Sequence, residues 1–201
     1  MRAGLLAPAV ALAVAPALAR AAPPPVDEGV LVGVSVSQLG PGFPHDSPGG
    51  EWSEPPSFTP GPAVGVIAGY RWDWFILGAS YQHGFLGGGT WSVKTDAVRT
   101  FWAASDYVGL DLAAITAPRA ILAAYFHLAL GARAMRFATD DGSGGPASNG
   151  GYVDPDVMLG IGAQLRLSRV RAIPEAGIGM GPIGLYGQLG ATVFFDFAPE
   201  P

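Results

Sequence analysis

The strongest constraint in this chain is a two-residue alternation that recurs from residue 30 to residue 197. Successive side chains of a strand point to opposite faces, so alternation sorts residues by environment. Between 120 and 134 the even positions are Ala120, Leu122, Ala124, Phe126, Leu128, Leu130, Ala132 and Ala134. The odd positions after Ile121 include Tyr125, His127, Gly131 and Arg133. One face is wholly apolar and the other carries every polar group, as a strand between hydrocarbon and a polar interior requires. The same separation holds over 30–38, 63–72, 106–116, 156–167 and 185–197, and more weakly over 74–84 and 171–181. In the last of these Pro174 falls inside the run, which a strand tolerates at a bulge or an irregular point. The alternation predicts eight strands, each near the 9–11 residues that a tilted membrane-crossing strand needs.

The connections alternate as well. Segments 39–62, 85–104 and 137–153 are long, whereas 72–73, 118–120 and 168–169 are tight; only 182–184 puts a short link in a long slot. Short turns at one end and long loops at the other mark an up-and-down barrel. The chain is therefore predicted to be all-β: an eight-stranded antiparallel up-and-down transmembrane β-barrel over residues 29–197. The one rival to strands is 112–135, which could be read as the helix of an inner-membrane protein. It carries Pro118, Arg119, His127 and Arg133, which suit a spanning helix poorly.

Residues 1–21 read as a cleaved signal peptide. Arg2 supplies the positive start, Gly4 to Pro16 the apolar stretch, and Ala17-Leu18-Ala19 the small-x-small cleavage pattern, with Ala19-Arg20-Ala21 as a second choice. The run is too short for a spanning helix and contains prolines. Residues 22–28 follow as a flexible leader, and 198–201 as a C-terminal tail. Without cysteine the chain can form no disulfide, thiolate zinc site, Cys nucleophile or acylated anchor. A formal charge of −5 disfavours nucleic acid as a partner. With 13% charged residues and a mean hydropathy of +0.32, the chain is an odd soluble enzyme but an ordinary barrel with one lipid-facing side per strand.

Aromatic side chains cluster where a membrane interface would lie. Trp72, Trp74, Phe75, Phe195 and Phe197 fall at the tight-turn end, and Phe85, Phe101, Trp102, Tyr107, Phe137 and Tyr152 at the opposite rim. The last strand, Leu189-x-Ala191-x-Val193-x-Phe195-x-Phe197, resembles the C-terminal signature that outer-membrane barrels present to their assembly machinery. Those families usually end at the terminal aromatic, whereas this chain continues with Ala198-Pro199-Glu200-Pro201. With the signal peptide and the strand rhythm, residues 29–197 resemble small eight-stranded outer-membrane barrels such as the OmpA-type membrane domain and the OmpX and OmpW groups. The resemblance implies a place in the bacterial outer membrane. It also implies contact with outer-membrane lipids and with the barrel-assembly machinery through the C-terminal strand, and recognition of any surface ligand through loops 39–62, 85–104 and 137–153.

An eight-stranded barrel is just wide enough for side chains to fill. Glycine dominates the inward positions, leaving room for a few large polar groups. The ionisable inward candidates are Arg71, Asp111, His127, Arg133, Asp156, Arg166, Arg171, Glu175 and Asp196. A turn centred on Arg119 would set Asp111 opposite His127. A hairpin centred between Ser168 and Arg169 would set Arg166 beside Arg171 and Glu175 beside Gly162. Arg171 then comes near the level of Asp196, and Arg133 near that of Asp156. An isolated charge in an enclosed lumen costs several kcal/mol, so these groups are expected to pair and plug the barrel.

Asp111 and His127 would be half of a nucleophilic triad, with Ser35, Ser37 and Ser80 on the same interior. No serine is placed near His127 by local spacing, and a structural pair is the favoured reading, with no catalytic residue assigned. The run Asp140-Asp141-Gly142-Ser143-Gly144-Gly145 lacks the spaced ligands of a calcium loop. His45, beside Asp46, reads as solvated. Gly87-Gly88-Gly89 lacks the context of a phosphate loop. No metal or cofactor is expected. The sequence thus points to a structural or surface-interaction role without catalysis. The alternatives are a narrow channel for small apolar or amphipathic solutes, and a lipid-modifying barrel enzyme using Asp111/His127.

Overall fold

The computed structural model describes residues 28–40, 59–87, 90–93, 96–140, 148–182 and 184–197. The signal peptide, most of the leader, His45, the 140–145 run beyond Asp140 and the C-terminal tail lie outside them. Nine strands follow in chain order: β1 (Glu28–Leu39), β2 (Gly61–Trp72), β3 (Phe75–Gly87), β4 (Thr90–Val93), β5 (Asp96–Ile115), β6 (Leu122–Asp140), β7 (Ser148–Leu167), β8 (Val170–Gly181) and β9 (Gly184–Asp196). All except β4 form a closed antiparallel barrel of eight strands. Neighbours in sequence pair in space, β3 passes over β4 to pair with β5, and β1 closes the ring on β9 from Leu31↔Asp196 to Leu39↔Gln188. Closure satisfies the backbone donors and acceptors that an open sheet edge would leave to hydrocarbon.

Residues 112–135 are not a helix. They are divided between the end of β5 and the start of β6, with a turn at Ala117–Ala120. Their apolar residues repeat every second position, which a helix would scatter around its circumference. The long-loop segments also hold more strand than the alternation predicts. β4 forms a hairpin with the start of β5, Thr90↔Arg99 to Val93↔Asp96, and β6 and β7 pair as far out as Thr139↔Ser148. There the sequence no longer alternates, because backbone pairing on an established hairpin continues without one face having to be apolar.

The hairpin at Ser168 has its predicted centre, and the first tight link falls at 73–74, one residue beyond the 72–73 expected. Trp72 pairs with Phe75 and Leu167 with Val170, around Asp73 and Ser168, whose φ values are 50° and 56°. The third turn is displaced as well. Asp111 pairs with Ala129, and Ala113 with His127, so the hairpin is centred on Ala120 rather than Arg119. Thr116 accounts for the shift: its N–H donates to the Ala124 carbonyl, and its hydroxyl accepts from the Ala124 N–H. Pro174 keeps its place opposite Ala191 in β9, while the β7–β8 ladder is interrupted between the pairs Gly162↔Glu175 and Leu165↔Ala172. The interruption falls where proline has no N–H to give.

Exposure follows the alternation. Val36, Leu110, Leu159 and Leu189 turn outward and are more than half exposed, as a lipid-facing surface requires. The inward side is less glycine-dominated than the sequence suggests. Near the tight-turn end Leu31, Ile67, Ile76, Tyr125, Ile173 and Phe194 form an apolar cluster. This gives the barrel a packed floor, on which the polar lumen stands.

Candidate functional site

Above and below that floor the inward polar residues fall into three levels. At the tight-turn end, Asp196 accepts from Arg71 Nη2 at 2.8 Å and from Arg171 Nη2 and Nε at 2.9 and 3.2 Å. Arg166 lies directly opposite Arg171, a like-charge pair that would repel if left alone. Neutral oxygens relieve it: Arg171 Nη1 donates to Gln164 Oε1 at 2.6 Å, and both arginines donate to the Pro118 carbonyl. The Pro118 turn is thus a cap on the positive end of the lumen.

The middle level joins β5, β6 and β8. His127 Nε2 lies 2.6 Å from Asp111 Oδ1, and its Nδ1 lies 3.5 Å from Glu175 Oε2. Two carboxylates therefore flank one imidazole, and Glu175 is an addition to the pair that sequence spacing brings together. The one-residue register shift does not separate Asp111 from His127, because diagonal neighbours on one sheet face remain within reach. A chamber of about 50 Å³ opens beside them, lined among others by Ser35, Ser80, Tyr107, Met158, Gln188 and Thr192. Its size, and the polar side chains among its lining residues, suit a few water molecules. The ring partners of His127 among the described residues are the two carboxylates, and no serine joins them.

The outer level is built around Arg133 of β6. Its Nε donates to Asp156 of β7, its Nη1 to Ser105 of β5 at 3.3 Å, and its Nη2 to Tyr186 of β9 at 3.2 Å and to Gln82 of β3 at 3.5 Å. Gln82 continues to Ser37 of β1 through a 3.1 Å bond, and the Tyr186 hydroxyl donates to Asp156 Oδ1 at 2.8 Å. The guanidinium also lies between two rings, 5.2 Å from the centroid of Tyr107 and 5.3 Å from that of Tyr186, where the ring faces attract a cation. Six of the eight barrel strands contribute to this one layer. Arg133 and Asp156 are 2% and 1% exposed.

Glycine makes the layer flat enough to fit. A Cβ on Gly109 would fall 2.0 Å from the Tyr107 hydroxyl, and one on Gly179 would fall 2.3 Å from the Tyr186 ring. The inward glycines are beds for two tyrosines as much as space for charged groups. Tyr107 is therefore a lumen residue, 6% exposed, and not part of the outer aromatic rim. Its odd number already shared a face with Asp111, and that parity outweighs its closeness to the strand end. At the other end Trp72, Trp74, Phe195 and Phe197 are exposed on the outer surface, where Tyr70, Trp72, Trp74 and Phe75 form a chain of ring contacts.

The closed antiparallel ring, the apolar outer belt and the polar lumen define a class: a small eight-stranded β-barrel of the outer-membrane type. Neisserial surface protein A superposes with a TM-score of 0.60 at 14% identity, covering 84% of this chain and 97% of that one. A major outer membrane protein from Thermus thermophilus gives 0.48 at 12% identity, over 83% of this chain and 99% of that one. The N-terminal β-barrel domain of Pseudomonas aeruginosa OprF gives 0.45 at 15% identity, over 82% and 97%. At such identities the likeness is one of fold. No family model and no curated protein matches the chain.

Proposed function

We propose that this is an exported protein of the bacterial outer membrane, anchored by a barrel whose lumen is closed by ion pairs, and that its role is structural or a matter of surface interaction without catalysis. In this reading residues 1–21 are removed on export. The outward strand faces contact outer-membrane lipids, the last strand is read by the assembly machinery, and the loops at 39–62, 85–104 and 137–153 carry any recognition of a surface ligand. The observation that supports the plugged lumen is the Arg133 layer, drawn from six strands, with Arg133 and Asp156 almost wholly buried. A chamber of about 50 Å³ between that layer and the apolar floor is too small for a solute path, which argues against the narrow channel. The Asp111–His127–Glu175 group lies between the two, out of reach of a lipid on the outer surface, which argues against the lipid-modifying enzyme.

The test is electrical. The full-length mature chain, folded into a planar bilayer, is expected to give no steady large conductance. Liposomes carrying it should swell in small sugars no faster than empty ones. Sustained open currents, or swelling abolished by Arg133→Ala, would replace the plug with a channel.

A further inference from the structure

On the outer surface of β3, β5 and β6 the apolar ladders meet one polar line, beyond which β3 exposes only the Phe85 ring among its described residues. The first ionisable outward residue above the belt is His83 on β3, Asp106 on β5 and Arg136 on β6. His83 and Asp106 are register partners, and Asp106 pairs with Ala134, two residues from Arg136. The three side chains meet. Asp106 Oδ1 accepts from the Tyr81 hydroxyl at 2.7 Å and lies 2.8 Å from His83 Nδ1, while Arg136 Nη2 donates to Asp106 Oδ2. Phe85 packs edge-on against the His83 ring at 4.5 Å and is itself exposed. Apart from the Tyr81 phenol, which joins the cluster, no other ionisable group among the described residues whose side chains are placed faces outward on the long-loop half of the barrel.

A charged cluster on a lipid-facing surface is costly within hydrocarbon, so this line marks where hydrocarbon ends. The height agrees. From Phe75 to His83 the strand runs about 26 Å, or about 20 Å after tilting, close to the apolar band of about 25 Å that barrels present. Immediately above that level lie lipid headgroups. Asp106 takes donors from three side chains, which fixes the Arg136 guanidinium by one nitrogen. The Arg136 side chain remains 60% exposed, and the rest of its planar fork, which bonds no other described residue, can meet a phosphate in the two-bond geometry that arginine favours. His83 adds a second ring nitrogen at the same height, and the rings of Tyr81 and Phe85, both exposed, border the apolar surface below and beside it.

We propose that Arg136, with His83, binds the phosphate of an outer-leaflet lipid headgroup, and that Asp106 and Tyr81 are positioning residues that hold the guanidinium at the membrane boundary. This inference rests on the outer-membrane reading above. It predicts one ordered lipid on the β3–β5–β6 sector.

Native mass spectrometry of the full chain, folded in detergent micelles and offered lipid A carrying both phosphates or the same lipid A stripped of them, tests it. The folded chain is expected to retain the phosphorylated form about tenfold better, the scale of one charge-assisted hydrogen bond. Arg136→Gln should lose that preference, and Arg136→Lys, which keeps the charge without the fork, should keep part of it. Millimolar inorganic phosphate, which has no acyl chains, should leave the adduct in place. Equal retention of both lipids by the unaltered chain would overturn the site, and that arm stands even if a variant fails to fold. So would an unchanged preference in a folded Arg136→Gln. Heat-modifiable gel mobility is recorded on the same samples. Its loss in the unaltered chain would strike the barrel reading itself, whereas its retention without a phosphate preference strikes this inference alone.

Discussion

Replacing Asp156 with alanine should be among the most damaging single changes in the lumen. Among the described residues Asp156 is the one carboxylate bonded to Arg133, and it also accepts from Tyr186. Without it the guanidinium, 2% exposed, keeps only the neutral oxygens of Ser105, Gln82 and Tyr186. Removing one member of a buried ion pair costs about 3–5 kcal/mol, because the partner charge stays buried. That is a fall of about two to nearly four orders of magnitude in the folding constant. The double variant Arg133→Met with Asp156→Leu removes both charges and should recover most of the loss, since buried pairs are often replaceable by apolar groups of similar size. The assay is a urea titration of the chain folded into phospholipid vesicles, with the folded fraction followed by tryptophan fluorescence and by mobility of unboiled samples on gels. A loss below about 1 kcal/mol, the value of an exposed ion pair, would refute the reasoning. It would mean that water reaches Arg133 and that the layer does not seal the lumen.

Two further outcomes follow from the packing. Gly109→Ala places a Cβ against the Tyr107 hydroxyl and should destabilise by about 1–3 kcal/mol in the same titration; Gly187→Ala, where nothing lies within 4 Å, is the neutral control. Leu110→Arg puts a charge on the outer surface midway between the tight-turn end and Asp106, where about 2–4 kcal/mol is expected in a bilayer. A Leu110→Arg chain as stable in vesicles as the original would mean that this face does not meet hydrocarbon.

Much of the fold was legible because strand alternation is a local property. Val36 and Ser37, or Leu110 and Asp111, are assigned to opposite faces by their numbers alone, and eight such segments with alternating long and short links leave few topologies. The hairpin at Ser168 could be centred for the same reason: a two-residue turn fixes the register on both sides. The hairpin at Pro118 could not, because its centre depends on the bonds Thr116 makes with Ala124, and these carry no periodic signal. The β4 hairpin and the outer ends of β6 and β7 were hidden for a related reason. Outside the membrane, strands need no apolar face, so alternation stops before pairing does. Tyr107 shows two sequence cues in conflict. Its place near a strand end suggested the aromatic rim, its parity suggested the lumen, and the pleat decided for the lumen.

Local alternation is enough to settle that the chain forms strands, how many cross, and which side chains face inward, because each of these depends on residues a few positions apart. Only the closed barrel decided which inward groups meet. Arg133 and Tyr186 are 53 residues apart in sequence, and they touch because β1 closes on β9 and the strands tilt across a lumen one or two side chains wide. Pairing between neighbouring strands set two rings on beds of glycine to receive the guanidinium, and the β3–β5–β6 register brought His83, Asp106 and Arg136 to one height on the outer surface. Such contacts are set by the shape of the ring of strands, which no local stretch of sequence contains.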